Sequence, residues 1–246
     1  TEISGNNPLM CACVFNRVDN VKFWLKEFPD WDLEARNTVV GGVALGVGVF
    51  MGPNRLELTR VLLEYGSKID TITHTGGTIL TAAVKNEDAD PHVVRLLLEH
   101  GANINQDVRA RTAKWKAIRL IAKMFIRVRS EKTSGLIRAI GRDNGSTALH
   151  YAALRGDMEL VEILLSAGAD SSIKNDLGYD AAAMCKSFPE LKGMLEKRER
   201  IMKLRGMEKK AGAVEVLGKR ISTATPIQHE MWLISLETLL MLYGEG

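Results

Sequence analysis

Along residues 143–175 the apolar positions fall in two bursts, each at helical spacing. Leu149, Ala152 and Ala153 line one side of a short segment. Met158, Leu160, Val161, Ile163, Leu164 and Leu165 then form a stripe too wide for a single neighbour. Polar residues and glycines mark the borders. Asp143-Asn144-Gly145 is a turn signal, Thr147 can cap the first helix, and Gly156 ends it. Asp157 can cap the second helix, and Gly168 closes it as a left-handed C-terminal residue. The pattern predicts helix, tight reversal, helix and loop. So small a unit cannot bury so wide a stripe alone, so copies are expected on both sides of it.

The same offsets recur upstream. Leu9, Ala12, Val21, Trp24 and Leu25 repeat the spacing of Leu149, Ala152, Val161, Leu164 and Leu165, with Phe28 in place of the closing glycine. A second copy covers 37–72, with extra residues around Met51-Gly52-Pro53-Asn54 at its inner turn. A third, 73–105, carries a matching extension from Asn86 to Pro91. From Leu80 to Leu149 is 69 residues, or two periods, which predicts a worn repeat over 106–142. There Trp115, Ile118, Ala122, Phe125 and Ile126 share one helical face, and Lys116, Arg119, Lys123 and Arg127 share the other. Beyond Asn175, Asp176-Leu177-Gly178 restarts the pattern and Cys185 falls where Ala152 stood. Leu191, Met194 and Leu195 point inward before the charged run Glu196-Lys197-Arg198-Glu199-Arg200, as a terminal cap requires.

These landmarks carry a family resemblance. Gly145, Thr147, Leu149, His150, Ala152 and Ala153, then Leu164-Leu165 and Gly168-Ala169-Asp170, resemble the ankyrin repeat. The resemblance implies an all-α solenoid of stacked helix-turn-helix units with short hairpin-like loops. On it the array occupies 1–205, in repeats 5–36, 37–72, 73–105, 106–142 (degenerate and basic), 143–175 and 176–205 (the cap). Residues 206–224 read as a linker. In 225–246, Thr225, Pro226 and Gln228 announce an amphipathic helix bearing Trp232, Leu236, Leu239, Leu240 and Tyr243. That helix docks on the array, docks on a partner, or begins a further domain.

Ankyrin arrays bind proteins through their finger-like loops and the concave face of the inner helices. For this chain the resemblance points to Arg36, His74, Arg109, Arg111, Asn144 and Asp176 in the loops, and to Tyr151 and Arg155 on an inner helix. Trp232 adds a site on the docking helix. A protein partner and a monomeric array follow from the resemblance, with no small-molecule substrate.

Charge changes this picture at one place. Residues 106–142 carry eleven Lys or Arg against Asp107 and Glu131, a net of +9, while the other 209 residues sum to −6. The basic face of Arg119, Lys123 and Arg127 is either the solvated side of a worn repeat or a surface attracting an acidic protein, an anionic lipid surface or nucleic acid. Trp115 and Phe125 are its only aromatics and sit on the apolar stripe, which disfavours nucleic acid.

Candidate chemistry is sparse. His74, His92, His100, His150 and His229 are scattered over different units, and no acid, nucleophile and base cluster emerges. Gly46-x-Gly48 is followed by Met51 where a dinucleotide fingerprint needs glycine. The acidic turn at 86–91 lacks the glycine and glutamate of a calcium loop. Cys11, Cys13 and Cys185 form no disulfide framework, which suits the cytosol or nucleus. The apolar runs 39–52 and 231–243 fall short of the about 20 residues of a membrane helix. No cofactor, metal or catalysis is expected. The sequence points to a non-catalytic interaction scaffold or adaptor. Its rivals are a recognition module of a larger multidomain enzyme or channel, and an electrostatic binder of anionic membrane or nucleic acid.

Overall fold

The computed structural model describes residues 5–51, 55–86, 88–128, 144–185, 187–201 and 203. The chain forms two compact units, Thr1–Leu195 and Glu196–Gly246. Of the second, the described residues 196–201 and 203 are helical, with Lys203 paired to Glu199 at 2.7 Å. The linker and the helix expected at 206–246, Trp232 included, lie outside the described residues.

The first unit is all-α. Among its described residues the helices are α1 (Pro8–Val14), α2 (Val18–Glu27), α3 (Ala44–Met51), α4 (Arg55–Glu64), α5 (Ile79–Lys85), α6 (Pro91–Glu99), α7 (Ala113–Val128), α8 (Ala148–Arg155), α9 (Met158–Ser166) and α10 (Ala181–Met184). A further helix begins at 189. Among the described residues the extended structure is an isolated bridge between Ile72 and Thr78.

Local chemistry sets the helix ends. Asn7 accepts from the Met10 N–H ahead of Pro8, and Asp90 accepts from the His92 N–H ahead of Pro91. Thr78 and Thr81 exchange hydrogen bonds as a capping box at the start of α5. Asp157 caps α9, and Gly168 leaves it at φ +96°, a conformation that costs a glycine little.

Packing is in two rows. α1, α3, α5, α8 and α10 stack as an inner row, and α2, α4, α6 and α9 as an outer one. Leu9, Leu45, Leu80 and Leu149 take equivalent inner positions, Leu62, Leu97 and Leu164 outer ones, and all are buried in one continuous core. Leu191 and Leu195 close that core at its far end.

This stacking corrects the repeat expected at 106–142. α5 packs directly on α8 and α6 directly on α9, so the segment does not intervene as a layer. The loop hydrogen bonds locate it. Each hairpin-like finger closes on a backbone bond: Asn37 N–H to Gly42 O (2.8 Å), Thr73 N–H to Gly77 O (2.9 Å) and Asn175 N–H to Tyr179 O (2.9 Å). The corresponding bond here runs from Val108 N–H to Ser146 O at 2.9 Å, with Gly145 N–H returning to Val108 O at 3.0 Å. Val108 and Ser146 therefore pair as Thr73 with Gly77 and Asn175 with Tyr179 do, with 37 residues between them along the chain where those fingers have three. The 69-residue interval is one period plus an insertion in a fingertip. α7 lies within that insertion, and residues 129–143 lie outside the described residues.

Fingers also join side by side. His74 N–H donates to Val40 O (2.8 Å), Arg111 N–H to His74 O (3.0 Å) and Asp176 N–H to Asn144 O (3.0 Å). The inserted finger uses its outgoing limb toward the third finger and its returning limb toward the last. At Gly76, φ is +90° and an added Cβ would lie 2.0 Å from the Arg109 carbonyl oxygen, so only glycine fits this approach.

Candidate interaction surface

The candidate residues divide by what their side chains touch. Arg109, Arg119, Lys123, Asn144 and Asp176 come together in one polar cluster where α7 meets the fingers. Arg119 is 6% exposed and donates to Thr75 O (2.7 Å), Val108 O (3.1 Å) and Asn144 Oδ1. It thus ties the third finger to both limbs of the inserted one. Lys123 donates to Asp176 Oδ2 at 2.9 Å, Asn144 Nδ2 donates to the same oxygen, and Arg109 lies 3.6 Å from Asp176 Oδ1. Arg109 also pairs with Asp107.

Burial pushes the Asp176 carboxyl up, but hydrogen bonds from Lys123 and Asn144 and the charges of Lys123 and Arg109 outweigh that and hold it below its ordinary value. The cluster fastens α7 across the fingertips. This corrects the expectation that Arg119 sits on a solvated basic face. An isolated cation is costly to bury, but a planar fork meeting three acceptors from separate segments offsets that cost.

The apolar side of α7 is also shifted from expectation. Trp115 and Ile118 are half-buried and Ala122 is buried, as their spacing predicts. Phe125, expected on the same stripe, is 50% exposed, and with it Leu120 (62%), Ile121 (53%) and Met124 (60%) face outward. The signal was in the sequence, since α7 carries apolar residues on two opposite faces. The Arg127 side chain lies outside the described residues.

Other candidates are placed elsewhere. Arg36 is exposed but donates to Gly41 O (2.9 Å) and Ile72 O (2.8 Å), bracing the second finger against the third. His74 is half-buried at its fingertip and Arg111 is exposed beside it. Tyr151 is only 6% exposed, beneath Lys85 Nζ at 4.6 Å from its ring centroid, so it offers little to a partner. Arg155 donates to Val84 O at 3.3 Å and lies 3.9 Å from Asp157, joining α8 to α5.

Groups with latent chemistry are structural. His150 Nδ1 accepts from the Thr147 N–H at 3.1 Å while Nε2 meets Tyr179 O at 3.0 Å, an arrangement suited to a neutral ring protonated on Nε2. Burial pushes its pKa down, against the opposing pull of Tyr179 O and Asp180. Burial lifts the Cys13 thiol to about 12 and the Cys185 thiol to about 11, far from the range of a reactive thiolate. Among the described residues no cluster of His, Cys, Asp or Glu could hold a metal ion, and no helix is long and apolar enough to cross a membrane.

Comparison with known proteins agrees with this register. The ankyrin repeat family model matches residues 75–108 and 144–176, leaving the segment between them unmatched. The chain is 35% identical over 145 residues to a mouse B-cell lymphoma 3 protein homolog, a match covering 58% of this chain and 24% of that protein. It is 30% identical to a bovine mitochondrial disaggregase over 51% of this chain and 18% of the relative. To the human transient receptor potential cation channel subfamily A member 1 it is 26% identical, over 67% of this chain and 15% of the channel. The chain therefore spans about a quarter or less of each of these relatives.

Proposed function

Because this chain carries ankyrin repeats at 75–108 and 144–176, we propose that it is a non-catalytic protein-interaction scaffold whose partner surface is the finger row together with α7. One observation carries this reading. α7 departs from a fingertip and is fastened back over the third and last fingers through Arg119 and Lys123. The surface that ankyrin repeats generally devote to protein partners is thus built here partly from α7. The partner is a protein, bound without catalysis, by a monomeric array in the cytosol or nucleus, where the free cysteines would stay reduced.

The test is site-specific photocrosslinking of the intact chain in cell extract, with mass-spectrometric mapping. Probes at Arg111 and Lys114 should capture discrete protein partners, and probes at Arg60 and Arg95 on the outer helices should not. Capture confined to the outer helices would contradict the proposal.

A second reading is that the array is the recognition module of a larger enzyme or channel. The small share of the disaggregase and the channel that the match covers favours it. The open reading frame on either side of this segment tests it. The electrostatic reading is weakened because Arg119 and Lys123 are engaged within the fold. Binding of nucleic acid or membrane through this segment should fall steeply with salt, and affinity unchanged from low to high salt eliminates it.

A further inference from the structure

The outward side of α7 is a surface without a role in the stacked core. Leu120, Ile121, Met124 and Phe125 stand at i, i+1, i+4 and i+5, each at least 50% exposed. They form two adjoining ridges at four-residue spacing, Leu120–Met124 and Ile121–Phe125. A groove between such ridges is the geometry that receives the side chains of a second helix. This face cannot turn inward, because Arg119 and Lys123 fix the opposite side of α7 to the fingers. Contiguous exposed apolar side chains of this kind mark contact surfaces rather than ordinary solvated ones.

Charge narrows the occupant. The sixteen residues of α7, AKWKAIRLIAKMFIRV, contain five Lys or Arg and no acid. Lys114 and Lys116 are exposed in its first turns, and Arg111 is exposed just ahead. The positive end of the helix dipole lies there too. We propose that the outward face of α7 packs against an amphipathic helix of another protein, apolar along its contact stripe and flanked by Asp or Glu. A lipid surface fits less well. Polybasic recruitment uses about four to eight cations, whereas α7 carries five, of which Arg119 is buried and Lys123 is paired with Asp176; the chain outside 106–142 is net negative at −6.

The proposal rests on the scaffold reading only in taking a protein as the partner. It is tested by titrating the intact chain with two fluorescent synthetic helical peptides that share a leucine stripe, one flanked by Glu and one by Lys. Vesicles of phosphatidylserine and phosphatidylcholine serve as a third ligand. The Glu-flanked peptide should bind, and the Lys-flanked one at least about tenfold more weakly. The double variant Leu120→Asp, Met124→Asp should lose at least about tenfold in affinity for the Glu-flanked peptide, with circular dichroism unchanged because both side chains are exposed. Lys114→Glu with Lys116→Glu should reverse the peptide preference. Equal binding of both peptides, no binding of the Glu-flanked one, or vesicle binding abolished by the Asp pair while peptide binding persists would each overturn it. Peptide failure with fingertip crosslinking intact removes this inference alone. Peptide binding without fingertip crosslinks removes only the placing of partners on the fingers.

Discussion

Val108 gives its N–H to the carbonyl oxygen of Ser146 at 2.9 Å, closing a finger whose tip holds 37 residues where the neighbouring fingers hold three. The stack tolerates this because closure entropy grows only logarithmically. Lengthening a loop from three to 37 residues costs on the order of 2 kcal/mol. The contacts of Arg119 and Lys123 on the fingers offset a cost of that size. An insertion can thus be placed in the row without disturbing the helices behind it.

Arg119 is expected to hold α7 in place rather than to meet a partner. Arg119→Met leaves the Val108 and Thr75 carbonyls without this donor and should destabilise α7 docking by about 2–3 kcal/mol. Hydrogen exchange checks this: α7 amides should lose protection while α5 and α8 keep theirs. Arg119→Lys should not rescue, since one ammonium cannot span three acceptors as a fork does.

Asp176 should titrate below its ordinary value of 3.8. Because the folded pKa is depressed, its contribution is present above that value and is lost as pH falls through the folded pKa. Carboxyl NMR can follow it directly. Lys123→Met should move the Asp176 midpoint upward, and added salt should weaken the effect because the pair is partly exposed.

His150 predicts pH dependence in a different window. Its folded pKa is lowered from 6.5, so the folded state takes up fewer protons than the unfolded one. Stability should be full above pH 6.5 and decline as pH falls below it. Melting midpoints at pH 7.5 and 5.5 measure the decline. His150→Thr, which reproduces the Thr78–Thr81 cap of α5, should retain folding and flatten the dependence between those values.

Gly76 and Gly168 both have positive φ but differ in surroundings. Alanine at Gly168 meets nothing within 4 Å and should cost about 1 kcal/mol from backbone strain. At Gly76 the added Cβ would collide with the Arg109 carbonyl, so Gly76→Ala should cost clearly more. Urea unfolding of the two variants compares them.

What the sequence made legible is local. Thr147, Asp157, Gly168 and the spacing of Leu149, Val161 and Leu164 are enough to place the helix pairs, because caps and periodicity act within a few residues. The register of 106–142 was not legible. Its length mimics a full period, and Trp115, Ile118 and Ala122 mimic a repeat's buried face. The seat of Arg119 is hidden for a related reason. Its acceptors, Thr75, Val108 and Asn144, lie far from it along the chain, and no helical pattern encodes carbonyls that arrive from elsewhere. With Arg119 turned to the fingers, Phe125 stands outward, 50% exposed.

The third repeat packs directly on the repeat of α8 and α9. In the structure Arg95 Nη2 on α6 lies 3.8 Å from Glu159 Oε1 on α9. Both side chains are exposed, so Arg95→Cys with Glu159→Cys can carry spin labels without disturbing the core. Pulsed electron paramagnetic resonance should return one short distance, typical of adjacent helices. A distance longer by about 8–10 Å, the width of one interposed helix layer, would mean that 106–142 is a stacked repeat after all.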